Sequence, residues 1–139
     1  MAIVTGGARG LGRAYALALA RDGFGVVVAD IRSGDDTVAE IVDAGGSAIA
    51  VQADVSDDTS TEAMARETMA HFGRIDVLIN NAGYFSEIYK KPFEQIAVDE
   101  WDRAFAVNVR GTWLATKAVV PAMRAQRYGK VINTSSMTV

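Results

Sequence analysis

The sequence predicts an α/β protein built on a parallel sheet, and three features carry that expectation. Short apolar runs alternate with helical stretches along the whole chain, the order of right-handed strand–helix–strand units. The runs are continuously apolar, as in Val26-Val27-Val28-Ala29, which suits strands covered on both faces. The first run also passes into its helix through a glycine-rich turn, Gly6-Gly7-Ala8-Arg9-Gly10-Leu11-Gly12.

Each element follows in order. Ala2 to Thr5 is a short strand, and the alanine- and leucine-rich stretch Leu11 to Arg21 is a helix ended by Asp22-Gly23. Val26 to Ala29 is the second strand. Asp35 to Ala44 is a helix stopped by Gly45-Gly46. Ser47 to Ala53 is the third strand. Asp57-Asp58 opens a helix with Ala65, Met69 and Phe72 on one face, closed by Gly73. Ile75 to Ile79 is the fourth strand, Asp99 to about Arg124 a long helix, and Val131 to Thr134 the fifth strand. The doubly wound order 3-2-1-4-5 is the expectation, with Val131 to Thr134 at an edge. There is no internal repeat or linker, so residues 1–139 read as a single domain.

Composition narrows the functions. The 139 residues are half apolar and 22% charged, with a net charge of −3. That balance suits neither nucleic acid nor an anionic membrane as main partner. The absence of cysteine excludes disulfides, thiolate metal sites and cysteine nucleophiles, and one histidine, His71, gives no basis for a metal cluster. His71 falls near a helix C-terminus, where the helix dipole accounts for it. The residues before the first glycines are too few for a secretion signal, and no apolar run reaches membrane length. A cytoplasmic protein is expected.

The glycine turn lies between a strand and a helix, the context that makes such a pattern informative. Its glycines permit a tight turn, close backbone approach to a diphosphate, and close packing of helix on strand. N–H groups at the helix start then face an anion. The same cluster would also serve as a plain helix cap. Asp30 shifts the balance: it ends the second strand, 20 residues after Gly10, where a carboxylate accepts the hydroxyls of an adenosine ribose. Turn and acid together imply a Rossmann-type dinucleotide-binding domain. Asn108 shares a helical face with Trp101, Phe105, Thr112, Ala115 and Val119, and a polar amide on an apolar stripe requires a buried partner.

The glycine spacing is GxxxGxG, and with it the chain resembles the short-chain dehydrogenase/reductase family. Asn80-Asn81-Ala82-Gly83 matches that family's NNAG segment, Asp54-Val55 its acidic residue near the adenine, Asn108 its helix asparagine, and Asn133-Thr134-Ser135-Ser136 the strand leading to its catalytic serine. The landmarks occur in order over nearly the whole chain. The resemblance implies an oxidoreductase that moves a hydride between a nicotinamide cofactor and an alcohol or carbonyl substrate. The cofactor-binding residues it implies are Thr5, Gly6, Arg9, Gly10, Leu11, Gly12, Asp30, Ile31, Asp54, Val55, Asn81, Ala82 and Gly83. Ser136 would orient the substrate oxygen, and Asn108 would hold a water in a proton relay. NAD is expected over NADP, because Asp30 would repel a 2′-phosphate, although Arg9 and Arg32 lie nearby in sequence. The aromatics Tyr84, Phe85 and Tyr89 suggest an apolar substrate. A homo-oligomer is expected of the complete protein.

In the family, the serine works with a tyrosine and a lysine in YxxxK spacing. Here Tyr15, Tyr84, Tyr89 and Tyr128 are followed four residues later by Leu19, Ile88, Phe93 and Ile132. The 139 residues therefore read as the N-terminal cofactor-binding portion of such an enzyme, with the C-terminal strands missing and little activity alone. The alternative is a non-catalytic NAD-binding module.

Overall fold

The computed structural model describes residues 1–85 and 91–135. Its elements are β1 (Ala2–Thr5), α1 (Gly10–Arg21), β2 (Val26–Asp30), α2 (Asp35–Asp43), β3 (Ala48–Gln52), α3 (Asp58–Phe72), β4 (Val77–Asn80), a 3₁₀ turn (Phe93–Gln95), α4 (Val98–Phe105), a π-helical stretch (Ala106–Gly111), α5 (Thr112–Gln126) and β5 (Lys130–Asn133). The five strands form one parallel sheet in the order β3-β2-β1-β4-β5, as the alternation of strands and helices predicts.

Strand pleating divides the core. Ile3, Val27, Val51 and Leu78 point to the face covered by α3 and α5, where they meet Met64, Ala115 and Val119. Their neighbours Ala2, Val4, Val26, Val28 and Ile79 point to the other face, against Ala16 of α1 and Ile41 of α2. Each fully buried valine or isoleucine contributes about 1.5–3 kcal/mol. Both faces of the central strands must be apolar for this, which is why those strands show no polar alternation. β5 pairs with β4 alone in the described sheet, and its Val131 and Ile132 remain 38% and 49% exposed. The edge position expected for this strand is observed.

Helix ends are set by local chemistry. Asp57 caps α3, its carboxylate accepting from the N–H groups of Thr59 and Ser60, and Gly73 closes the helix at φ 71°. Left-handed φ costs a glycine nothing, so the chain turns there towards β4.

The region expected to be one uninterrupted helix from Asp99 is instead α4 and α5 joined by a π-helical stretch. The wider turn shifts the phase of the apolar stripe. Trp101 and Phe105 of α4 are 54% and 47% exposed, whereas Ala115 and Val119 of α5 are buried. A stripe counted in steps of three and four across this junction therefore does not lie on one face, and the expectation that Asn108 shares a face with all of these residues is corrected.

Below the sheet, Arg74 grips Asp76 with both Nε and Nη2, at 2.8 and 2.6 Å, and the Met1 ammonium adds a third donor at 2.8 Å. The Arg74 hydrogen bond holds the Asp76 carboxyl below its ordinary pKa of 3.8, against the opposing effect of burial.

Two outcomes test these assignments. Asp57→Ala lowers the unfolding free energy by about 1 kcal/mol in urea titration, the usual cost of a lost N-cap; an unchanged midpoint contradicts the cap. Because folding depresses the Asp76 pKa, its stabilisation is fully present above the unfolded-state value and fades as pH falls through the folded value. The stability gap between the parent chain and Asp76→Asn is thus constant above about pH 5 and closes below about pH 4. A gap that widens on acidification contradicts the assignment.

Candidate functional site

The C-terminal edge of the sheet carries the site, where an open α/β sheet places its ligands. β1 ends in Thr5, 1% exposed. Its hydroxyl donates to the Ile79 carbonyl at 3.3 Å and accepts from the N–H groups of Asn81 and Ala82 at 3.0 and 3.1 Å. That satisfies one donor and two acceptor positions. The Asn81 amide donates in return to the carbonyls of Thr5 and Gly6, at 3.1 and 3.3 Å. The ends of β1 and β4 are thereby locked together.

The turn that follows is built around missing β-carbons. Gly6 has φ 66°, and a β-carbon there would lie 2.9 Å from the Ala82 Cα. One on Gly12 would lie 2.0 Å from the Gly6 carbonyl oxygen and 2.6 Å from the Asn81 amide nitrogen. Only glycine lets α1 begin this close to the strands. The N–H groups of Gly6 and Gly7 are taken by the Ala29 carbonyl, and that of Ala8 by the Asp30 carboxylate at 3.0 Å. The first helical bond runs from Arg13 N–H to Arg9 carbonyl. The N–H groups of Gly10, Leu11 and Gly12 precede it, in a first turn with no acidic residue. Such a helix start attracts an anion.

These groups line a cavity of about 320 Å³ that reaches Asp30, Ile31 and Arg32, then Ala53 to Ser56, and returns along Asn81 to Tyr84 and the α4 side with Arg103 and Val107. Asp30 is 8% exposed, and its other oxygen accepts from the Arg32 N–H at 3.0 Å. Asp54 accepts from the N–H and hydroxyl of Ser56, at 2.8 and 2.6 Å. It therefore shapes its own turn while standing on the cavity wall.

Of the residues singled out from sequence, Gly6, Arg9, Gly10, Leu11, Gly12, Asp30, Ile31, Asp54, Val55, Asn81, Ala82 and Gly83 line this one cavity. Thr5 does not: its side chain turns inward to tie β1 to β4. Asn108 sits behind the wall. Its Oδ1 accepts from the Tyr84 N–H at 2.7 Å and its Nδ2 donates to the Tyr84 carbonyl at 3.4 Å. The buried partner that an amide in this helix requires is the backbone of the loop after β4. Ser136 and Tyr89 lie outside the described residues. Tyr84, one of the aromatics noted after the NNAG segment, joins the wall, and Arg103 and Val107 join it without any motif to announce them, because α4 and the π-helical stretch arrive there only through folding. Asn80 bridges β4 to its neighbours, donating to Thr116 Oγ1 at 3.1 Å and Asn133 Oδ1 at 2.9 Å.

Gly12→Ala decides whether the close approach is required. Alanine is the better helix former by about 1 kcal/mol, yet its methyl group must displace the Gly6 carbonyl or the Asn81 amide. A net loss of about 3 kcal/mol in urea unfolding is expected, in the range of an overpacked core; equal or greater stability contradicts the packing described.

Comparison with known proteins agrees with this geometry. The family model for short chain dehydrogenases matches residues 1–139. A 3-oxoacyl-[acyl-carrier-protein] reductase of Synechocystis sp. is 41% identical over 140 residues, which cover 99% of this chain and 56% of the reductase. Among solved structures, a 3-ketoacyl-ACP reductase from Sinorhizobium meliloti superposes with a TM-score of 0.91 at 38% identity, over 97% of this chain and 53% of that one. A metagenomic short-chain oxidoreductase in complex with NADP gives 0.88 at 38% identity, over 99% and 62%. The chain thus spans about half the length of these relatives. With the family's order of landmarks, its sheet topology and a match from the first residue to the last, the chain belongs to the short chain dehydrogenase family.

Proposed function

We propose that this chain supplies the cofactor-binding half of an oxidoreductase that transfers a hydride between a nicotinamide dinucleotide and an alcohol or carbonyl substrate. One observation carries the reading: a helix start with open N–H groups lines the same cavity as a carboxylate fixed by backbone N–H groups. The residues suit the cofactor. Gly10, Leu11 and Gly12 hold the diphosphate, and Gly6 and Gly12 let α1 begin close enough to the strand ends to present those N–H groups. Asp30 takes the adenosine ribose, with Ile31 beside it; Asp54 and Val55 border the adenine, and Asn81, Ala82 and Gly83 close the opposite side. Arg9 stands at the mouth and Thr5 holds the floor in register. When bound, the nicotinamide supplies or accepts the hydride.

The protein's own catalytic contribution is assigned to Ser136, which orients the substrate oxygen, and to Asn108. The assignment of Ser136 rests on the motif Asn133-Thr134-Ser135-Ser136. Asn108 holds both backbone groups of Tyr84 and so keeps the cavity wall in place. The family's tyrosine–lysine pair is not among these 139 residues. Since such proton transfer contributes on the order of 10²–10⁴-fold, the chain by itself is expected to bind cofactor with little turnover. The substrate is a small alcohol or ketone, and the complete enzyme a cytoplasmic homo-oligomer.

NAD is favoured over NADP. The Asp30 carboxylate is pinned by the N–H groups of Ala8 and Arg32, so it would not swing away from a 2′-phosphate, and the like charges would repel. The NADP complex of one structural neighbour supports the nicotinamide class.

Calorimetric titration of the chain with both cofactors tests the reading. NAD is expected to bind more tightly, and Asp30→Ala to narrow the gap by roughly tenfold, the effect of about one charged hydrogen bond. Tighter binding of NADP to the parent chain overturns the preference.

A further inference from the structure

We infer that Arg103 is a second contact for the anionic diphosphate of the dinucleotide, offered from α4 into the cavity that the glycine turn also lines and aimed by Tyr84. The inference rests on the dinucleotide reading above and assigns a binding residue outside the glycine motif.

Arg103 lies on α4, and its guanidinium carbon stands 5.0 Å from the centroid of the Tyr84 ring. Both side chains line the cavity that also contains the start of α1. A cation over an aromatic face is held by the ring quadrupole. The contact restricts a side chain that otherwise samples many rotamers, and a restrained group gives up less entropy when it meets a ligand. Tyr84 is restrained in turn, since Asn108 bonds both its N–H and its carbonyl.

The charges around the cavity favour an anion at this place. Among the described residues Arg103 forms no ion pair. The two carboxylates on the wall are committed elsewhere, Asp30 to backbone N–H groups and Asp54 to Ser56. A guanidinium presents several donors in one plane and recognises phosphate oxygens through them. In the same cavity as a helix start it adds a second group that favours a phosphate, where a neutral ligand part would gain nothing from it. A phosphate or carboxylate carried by a substrate offers the same chemistry, so the probe must contain the diphosphate and no substrate.

The test is calorimetric titration of the whole chain with NAD, ADP and adenosine at low and high salt. Arg103→Ala is expected to weaken NAD and ADP binding on the order of tenfold, as for loss of a charge-assisted hydrogen bond, to flatten their salt dependence, and to leave adenosine unchanged. Arg103→Lys is expected to keep much of the salt dependence. Tyr84→Phe, which preserves the ring, is expected to bind ADP as the parent does, and Tyr84→Leu to lose several-fold. ADP binding unaffected by Arg103→Ala overturns the inference, and this is the result expected if the anion belongs to the substrate. An equal loss for adenosine overturns it as well, by pointing to packing on the base. A parent chain that binds neither NAD nor ADP defeats the dinucleotide reading and this inference with it. Normal parent binding with unaltered Arg103 variants defeats the inference alone.

Discussion

The organisation of the site depends on one contact that leaves no room for a β-carbon. α1 starts so close to the end of β1 that the Gly12 Cα faces the Gly6 carbonyl and the Asn81 amide directly. From that approach the rest follows. The helix start reaches the sheet edge, the N–H groups before its first hydrogen bond open into the cavity, and Asn81 can bond the carbonyls of Thr5 and Gly6. Close packing of this kind tolerates little change in volume, so Gly6 and Gly12 leave no room for a larger residue in the turn.

Around that contact, polar side chains are used as ties. The Thr5 hydroxyl joins three backbone groups of β4 and the loop after it. Asp30 fastens the glycine turn to the end of β2, and the Thr37 hydroxyl donates to the Gly7 and Ala8 carbonyls at 3.4 and 3.3 Å from α2. A buried polar group is costly unless it is bonded. Each of these bonds therefore stabilises one loop arrangement over others and leaves the surface facing the cavity organised before any ligand arrives. A preorganised site gives up less on binding.

The π-helical stretch has a comparable effect on the far wall. Gly111 lies within it, and a β-carbon there would stand 2.7 Å from a Val55 methyl. The wide turn seats Asn108 beside Tyr84 and, one helical turn earlier, brings Arg103 to the cavity. Such turns break the regular hydrogen-bond ladder and persist where the geometry they create is needed. Here that geometry joins the loop after β4, the turn after β3 and α4 into one wall.

Much of this was legible in the amino-acid sequence. Continuous apolar runs marked strands buried on both faces, glycines marked the helix ends, and the spacing of Gly6, Gly10, Gly12 and Asp30 marked residues of the cavity wall. These are local signals: backbone conformation, burial and turn chemistry are written within a few residues of where they act. Asp57 as a cap and Gly73 as a stop are of the same kind. What only the tertiary structure decided are the features made by chain segments far apart in sequence. Thr5 turned out to tie strands, because its hydroxyl meets Asn81 and Ala82 only once β1 and β4 are paired. Asn108 turned out to hold Tyr84, and the apolar stripe of the long helix changed face, because the π-helical stretch resets the helical phase that a count of residues assumes constant. Arg103 reached the cavity because α4 packs beside the loop after β4, a placement set by the whole sheet and visible in no stretch of sequence on its own.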